Sequence, residues 1–238
     1  MLGDELELDP DGLDVDPDYL DRTLNEWDAC ATEEAIQIRE RLGGGEVVVA
    51  TVGDEESEAA LRRCLAMGAD RAIRVAAEPR DPISTARALA TVVSAESPDL
   101  VLTGVQSADS VQGSTGAALA ELAGLPRVAV VTKLEWSGSG TATVDRELEG
   151  GLVDIVEVDT PALLTIQTGI NQPRYANLRA IKQAEQREIA VVGADTGEPA
   201  YRVRRMFAPP RGAGAELIDG DAAHVAQRIA ELLRERLG

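Results

Sequence analysis

Apolar and polar residues fall into short blocks along the chain, and the spacing within each block predicts its element. Gly43-Gly44-Gly45 closes a helical stretch and leads into EVVVATVG, a β-branched run short enough to be a buried strand. Residues 55–67 then place Ala59, Leu61, Cys64, Leu65 and Met67 at helical spacing, with Gly68 at the position of a C-cap glycine. A short strand at 71–75 follows. Pro82 sits in the first turn of a second helix over 82–96, Pro98-Asp99 breaks it, and LVLTG makes a third strand.

Beyond a polar loop, VQSADSVQGS, the stretch TGAALAELAG predicts a helix ending at Gly124, and VAVVTKLEW a further strand. The pattern then changes. TATVDRELEG and LVDIVEVD alternate as an antiparallel pair, and PALLTIQTG reads as another buried strand. Residues 174–188 read as a helix of mixed charge, and ADTGEPAYRVRRMFAPPRGAG as a linker or extended arm. In 221–237, Val225, Ile229, Leu232, Leu233 and Leu237 line one helical face that must dock somewhere. Strands alternating with helices imply an α/β fold: a three-layer sandwich with a mostly parallel sheet, an antiparallel hairpin extension and a C-terminal arm with helix. The expected division is 1–192 and 193–238.

Charge narrows the partners. The 42 Asp and Glu against 23 Lys and Arg leave a formal charge of −19, which repels nucleic acid and anionic membrane surfaces. Only Lys133 and Lys182 are lysines. So acidic a chain suits a salt-rich cytosol, because at 1 M salt the Debye length falls to about 3 Å and self-repulsion is screened. No apolar run reaches the roughly 18 residues of a membrane span, and the acidic first residues are no leader, so a cytoplasmic protein without membrane insertion is expected. Cys30 and Cys64 are read as structural thiols and His224 as a surface residue, which leaves no basis for metal or His-dependent chemistry.

In an open parallel sheet, ligands bind beyond the carboxyl ends of the strands, where the loop 104–116 lies. It supplies Gly104, Gly113 and Gly116 for close backbone approach, hydroxyls from Ser107, Ser110, Ser114 and Thr115, and then a helix N-terminus that attracts phosphate. It has no lysine or arginine, which suits binding rather than phosphoryl transfer. An ordinary Ser/Gly loop capping a helix fits the same residues. There is no P-loop, GxGxxG, GxSxG or metal-ligand spacing, so the residues describe a nucleotide-binding α/β domain without catalytic side chains of its own.

Four stretches in order resemble the β subunits of electron transfer flavoproteins: LNEWDACATEEAIQIRE at 24–40, LAMGADRAIRV within 59–75, PDLVLTGVQSADSVQGSTGAALAELAGLP at 98–126, and VDRELEGG with PALLTIQTGINQPRYANLRAIKQA within 144–184. The strand followed by N-x-P-R-Y is the most specific. The resemblance implies an electron carrier subunit that catalyses nothing alone. It pairs with an α subunit, holds AMP while FAD sits mainly in the α subunit, and passes electrons from acyl-CoA and other flavin dehydrogenases to a membrane quinone reductase. Asn25, Glu26, Trp27 and Asp28 match the segment enclosing the adenine, and Val52 a position beside it. Asp109, Gln112, Gly113, Ser114, Thr115 and Gly116 match the phosphate loop. Asn171, Pro173, Arg174, Tyr175 and Leu178 match the loop that grips dehydrogenases, with Leu178 as apolar anchor, and Glu147 matches an acidic position that aids partner release. The first division then becomes the nucleotide domain, and 193–238 an arm docking on the α subunit.

Two alternatives stay open. Family loops usually carry Asn-Gln-Thr-Gly where this chain has Gly113-Ser114-Thr115-Gly116, so a bifurcating type with a second FAD in place of AMP is the first. The second is a stand-alone nucleotide sensor of universal-stress type. Family members also open with a buried strand, whereas this sequence starts at MLGDELELDP, and a central strand is expected to be missing.

Overall fold

The structure, a computed structural model, describes residues 7–16, 20, 22–207 and 217–237. Residues 20–202 form one unit, and the two ends of the chain form another.

The larger unit begins with α1 (Glu26–Leu42), which has Glu26 and Asp28 in its first turn, Arg39 and Arg41 in its last, and Gly43 in the left-handed conformation at its end. These charges complement the helix dipole. The chain continues through β1 (Val48–Val52), α2 (Glu58–Met67), β2 (Arg71–Ala76), α3 (Pro82–Glu96), β3 (Leu100–Gly104) and α4 (Thr115–Ala123). The start of α3 is closed by a capping box: Asp81 accepts from the Ser84 N–H at 2.6 Å, and the Asp81 N–H donates to Ser84 Oγ at 2.9 Å. β4 (Arg127–Glu135), β5 (Thr141–Glu147), β6 (Val153–Asp159), β7 (Ala162–Ile166), α5 (Leu178–Glu185) and β8 (Ala190–Gly193) complete the unit.

Two departures from the sequence reading stand out. The helix expected over 174–188 starts only at Leu178, where the Asn177 side chain accepts from the Ala180 N–H at 2.9 Å, and ends at Glu185. The four-residue β8 was not foreseen, because its exposed residues show no alternation to read; it pairs in parallel with β2 and runs past the expected boundary at residue 192.

The strands form a parallel sheet, β1-β2-β8, and a mixed sheet, β3-β7-β4-β5-β6, in which β3, β7 and β4 are parallel and β5 and β6 make the antiparallel extension. Alternate residues of each sheet face different helices. In β7, Leu164 and Ile166 pack with Cys30, Ala31 and Ile38 of α1, whereas Leu163 packs with Ala86 of α3 and Leu119 and Ala120 of α4. In β2, Ala72 lies with Ile36 of α1 and Leu61 of α2, whereas Ile73 and Val75 lie with Ala88 and Val92 of α3. Successive strand residues point to opposite faces, so α1 covers both sheets from one side and α3 covers both from the other. The result is the expected three-layer sandwich, with its central layer in two pieces. The division falls between β1 and β3, which among the described residues are bonded only to β2 and to β7 respectively. Both strands are apolar, yet most of their residues are only half-buried, in contrast to the fully buried β7.

In the other unit, Leu8 and Val15 form an antiparallel bridge around a turn, and the Met206 N–H donates to the Gly12 carbonyl at 2.8 Å. Helix α6 (Ala222–Leu237) is opened by Asp221, which accepts from the His224 N–H at 2.9 Å, and leaves Ile229 and Leu233 exposed. His224 is exposed as expected. Residues 1–6, part of the arm at 208–216, and the Leu237 side chain lie outside the described residues.

Candidate functional site

The first turn of α1 binds together the carboxyl ends of several strands. Asn25 stands at the N-cap position but makes no cap bond with its side chain. Its Nδ2 donates instead to Asp28 Oδ2 at 2.7 Å and to the Gln106 carbonyl at 2.8 Å, and its Oδ1 accepts from the Ala108 N–H at 3.2 Å. Asp28 Oδ1 accepts from the Gly104 N–H at 2.7 Å. Trp27 Nε1 donates to Gln167 Oε1 at 2.8 Å, and Gln167 Nε2 donates to Glu147 Oε2 at 3.2 Å, so this one turn is linked to the ends of β3, β7 and β5. Glycine is required where β3 meets it: a Cβ on Gly104 would lie 2.6 Å from Trp27 Cβ and 3.0 Å from the Asp28 backbone nitrogen.

Across the loop 104–116, the start of α4 presents backbone N–H groups of the kind that attract an anion. Ser114 at its N-cap makes no side-chain cap bond, and no acid stands in the first turn. Its leading N–H groups therefore have no side-chain partner among the described residues, and they carry the positive end of the helix dipole. Gly116 is buried against β3 and β7, and a Cβ there would lie 2.7 Å from Thr103 Oγ1. That Thr103 hydroxyl is itself buried without a hydrogen-bond partner among the described residues, a cost a bound oxygen acceptor would relieve. A nucleotide phosphate fits this donor set of backbone N–H groups and hydroxyls. Between the two ends Val111 holds φ 52°, a strained setting for a β-branched residue, and Gly113 holds φ 58°. The hydroxyl of Ser107, with backbone donors, holds the Asp109 carboxyl below its usual range, so the loop carries a negative charge of its own.

The predicted nucleotide residues are thus brought together unevenly. Asn25, Trp27 and Asp28 form one connected cluster with the loop, and Thr115 and Gly116 open α4. Asp109, Gln112, Gly113 and Ser114 are exposed along the loop, and Glu26 is exposed on α1. Val52 is buried at the end of β1 among Ile73, Val75, Ala88 and Val92. Three residues were missed. Thr103 is the one polar side chain within LVLTG, and Gln167 is the first polar residue after the buried β7; both could have been noticed. Tyr201, whose hydroxyl donates to Gln112 Oε1, sits in an arm without period and gave no signal.

The second cluster holds residues 171–178 on α1. Arg174 is gripped by two carboxylates: its Nε donates to Glu33 Oε2 at 2.8 Å, and its terminal nitrogens reach Glu40 at 2.8 and 3.0 Å. Burial works against ionisation of Glu33, but the hydrogen bonds from Arg174 and Gln37 outweigh it and hold the carboxyl below its usual range. Asn171 Nδ2 donates to the Cys30 carbonyl and to Glu34, each at 3.1 Å. Asn171 and Arg174 therefore point inward as ties, and Pro173 is half-buried between them. Tyr175 and Leu178 point outward, 84% and 79% exposed, with the Arg63 guanidinium 5.5 Å from the Tyr175 ring centre. Cys30 and Cys64 are both buried free thiols, and burial pushes the Cys64 thiol up to about 11. Among the described residues no cluster of three metal-ligating side chains occurs, and no helix is long and apolar enough to cross a membrane.

Residues 13–196 match the description "Electron transfer flavoprotein domain". The chain belongs to the electron transfer flavoprotein family. Within that family it aligns with β subunits. It is 44% identical over 252 positions to the electron transfer flavoprotein subunit beta of Methylophilus methylotrophus, covering 100% of this chain and 95% of the relative. It is 34% identical over 222 positions to that of Bacillus subtilis, covering 89% and 85%. Identity to the mitochondrial subunit beta of Arabidopsis thaliana is 34% over 187 positions, covering 78% and 74%. The chain is an electron transfer flavoprotein β subunit, and the family match includes α1, the loop 104–116 and the loop 171–178.

Proposed function

We propose that this β subunit is the nucleotide-holding half of a heterodimeric electron carrier. AMP is the nucleotide, held by Asn25, Trp27 and Asp28 at the adenine end and by Gln112, Gly113, Ser114, Thr115 and Gly116 at the phosphate, with Glu26, Val52 and Asp109 at its margins. FAD, held mainly by the α subunit, supplies the redox chemistry when bound. The chain's own residues bind and position, and it is no enzyme alone. Tyr175 and Leu178 receive acyl-CoA and other flavin dehydrogenases, Asn171, Pro173 and Arg174 hold that loop in shape, and Glu147 assists release. Electrons leave for a membrane quinone reductase, in the cytoplasm. Residues up to 192 serve the nucleotide, and the arm from 193 serves the α subunit.

One observation carries the nucleotide assignment: the Thr103 hydroxyl, without a partner among the described residues, lies beside the α4 N-terminus, which Gly116 lets pack closely on β3 and β7 and whose Ser114 N-cap makes no side-chain bond. The complex co-expressed with the α subunit should release one AMP per heterodimer on denaturation, read by chromatography, and be yellow only when the α subunit is present. Gly116→Ala should lower nucleotide retention. Leu178→Ala should slow electron acceptance from a dehydrogenase while leaving the AMP content intact. Stoichiometric flavin retained by this chain alone would overturn the AMP assignment.

A further inference from the structure

Past β8 the chain crosses α3 as a segment, 194–201, that forms neither helix nor strand and is nonetheless held along its length. Ala194 packs with Ala88 and Val92 of α3. Arg80, just before α3, donates to Thr196 Oγ1 at 3.0 Å and to the Gly197 carbonyl at 2.9 Å, and Arg87 within α3 donates to the Thr196 carbonyl at 3.2 Å and to the Glu198 carbonyl at 2.9 Å. The turn is fitted to Arg87: Gly197 holds φ +64°, and a Cβ there would lie 2.9 Å from a terminal nitrogen of that guanidinium. The last tie is the buried Asp81, which gives one carboxylate oxygen to the Ser84 N–H at the α3 cap and the other to the Ala200 N–H. Burial works against its ionisation, but hydrogen bonds from Ser84, Ala200 and Tyr201 outweigh it and hold the carboxyl below its usual range.

These ties carry the next residue to the candidate site, where the Tyr201 hydroxyl donates to Gln112 Oε1 in the loop 104–116. Asn25 and Asp28 fix the other end of that loop, at Gly104, Gln106 and Ala108. Among the described residues, the one hydrogen bond to 109–114 from outside the loop comes from Tyr201. That half needs a hold, because Val111, next to Gln112, keeps φ 52°, and a strained β-branched residue persists only where its surroundings fix it. A helix cap needs one oxygen, so the second oxygen of Asp81 is left to set where Tyr201 stands. Resting on the nucleotide reading above, we propose that Tyr201 is a positioning residue for the nucleotide phosphate: it fixes Gln112 and the loop backbone leading into α4, and Asp81 in turn fixes Tyr201. The first residues of the arm thus serve the nucleotide.

The test uses the complex co-expressed with the α subunit, loaded with labelled AMP and diluted into excess unlabelled AMP. One lost hydrogen bond changes a rate several-fold, so Tyr201→Phe should speed AMP release about fivefold and leave the rate of AMP capture as in wild type. Asp81→Ser keeps an oxygen for the α3 cap but has none for Ala200, and should speed release by a similar factor. The double variant should release AMP no faster than the faster single one, because both changes break the same connection. A merely structural defect would instead lower the amount of AMP bound per complex and leave the release of bound AMP unchanged. If Tyr201→Phe releases AMP at the wild-type rate, the proposal fails and the nucleotide reading stands; that variant decides alone if Asp81→Ser does not fold. Factors that multiply in the double variant would show two residues acting separately and would overturn it too. A wild-type complex that holds no AMP sinks both.

Discussion

Glu33 sits in the middle of a helix, almost wholly buried, and is tolerated there because Arg174 approaches it from 141 positions away in sequence with both backbone and side chain. A charged hydrogen-bonded pair of this kind contributes about 1.5–3 kcal/mol when buried, and toward the lower end here because Arg174 is about a third exposed. The folded carboxyl titrates below the unfolded one, so this contribution is complete above the unfolded value of about 4.3 and is lost as pH falls through the lower folded value. Glu33→Gln should therefore cost about 1–2 kcal/mol in urea unfolding at pH 7. The gap from wild type should shrink toward pH 3. A gap that stays constant with pH would show that Glu33 acts through packing alone. Neither the pair nor its purpose could be read from the sequence, where Glu33 is one of 42 acidic residues.

At the level of elements, capping residues and apolar period sufficed for α3, whose expected span agrees with the structure, and for α4 up to Gly124. They failed at β8, which pairs with the edge of β2, and at residues 174–177, where ties to α1 replace the expected helical turn. Among the described residues, β1 and β3 each keep one unbonded edge under the same two covering helices, α1 and α3. Backbone groups left unpaired in such a place are costly, and an apolar strand entering between them would pair on both sides. A synthetic peptide of about six Val- and Ile-rich residues, a usual strand length, should raise the melting temperature of the chain, whereas a scrambled peptide with prolines should not. Equal melting curves with both peptides would show that β1 and β3 do not accept a strand.

For the whole molecule, the charge of −19 is the term that solvent conditions can change most. Ion pairs such as Arg71 with Glu46 and Glu96 bring some opposite charges together, but acids outnumber bases by 42 to 23. Raising salt from about 0.05 to 1 M shortens the Debye length from above 10 Å to about 3 Å and screens the excess. The thermal midpoint should rise over that range, most steeply at its lower end. A midpoint that falls would mean that the ion pairs outweigh the repulsion.

Local pattern was enough to determine the α/β class, the order of most strands and helices, the place of the loop 104–116 and the thiol character of Cys30 and Cys64, because these depend on side-chain period and on neighbours a few residues away. The motif PALLTIQTGINQPRYANLRAIKQA was enough to suggest the family. Tertiary structure decided what distance in sequence conceals. It made Asn25, at the N-cap position of α1, a tie for the loop, left the Thr103 hydroxyl buried beside Gly116 without a partner among the described residues, and drew Asn171 and Arg174 inward while Tyr175 and Leu178 face solvent. It also split the sheet between β1 and β3 and left Val153 and Ile155 bare on β6. Each of these depends on which backbone edges and side chains meet across the fold, and a strand's apolar pattern is the same whether its edge is paired or open.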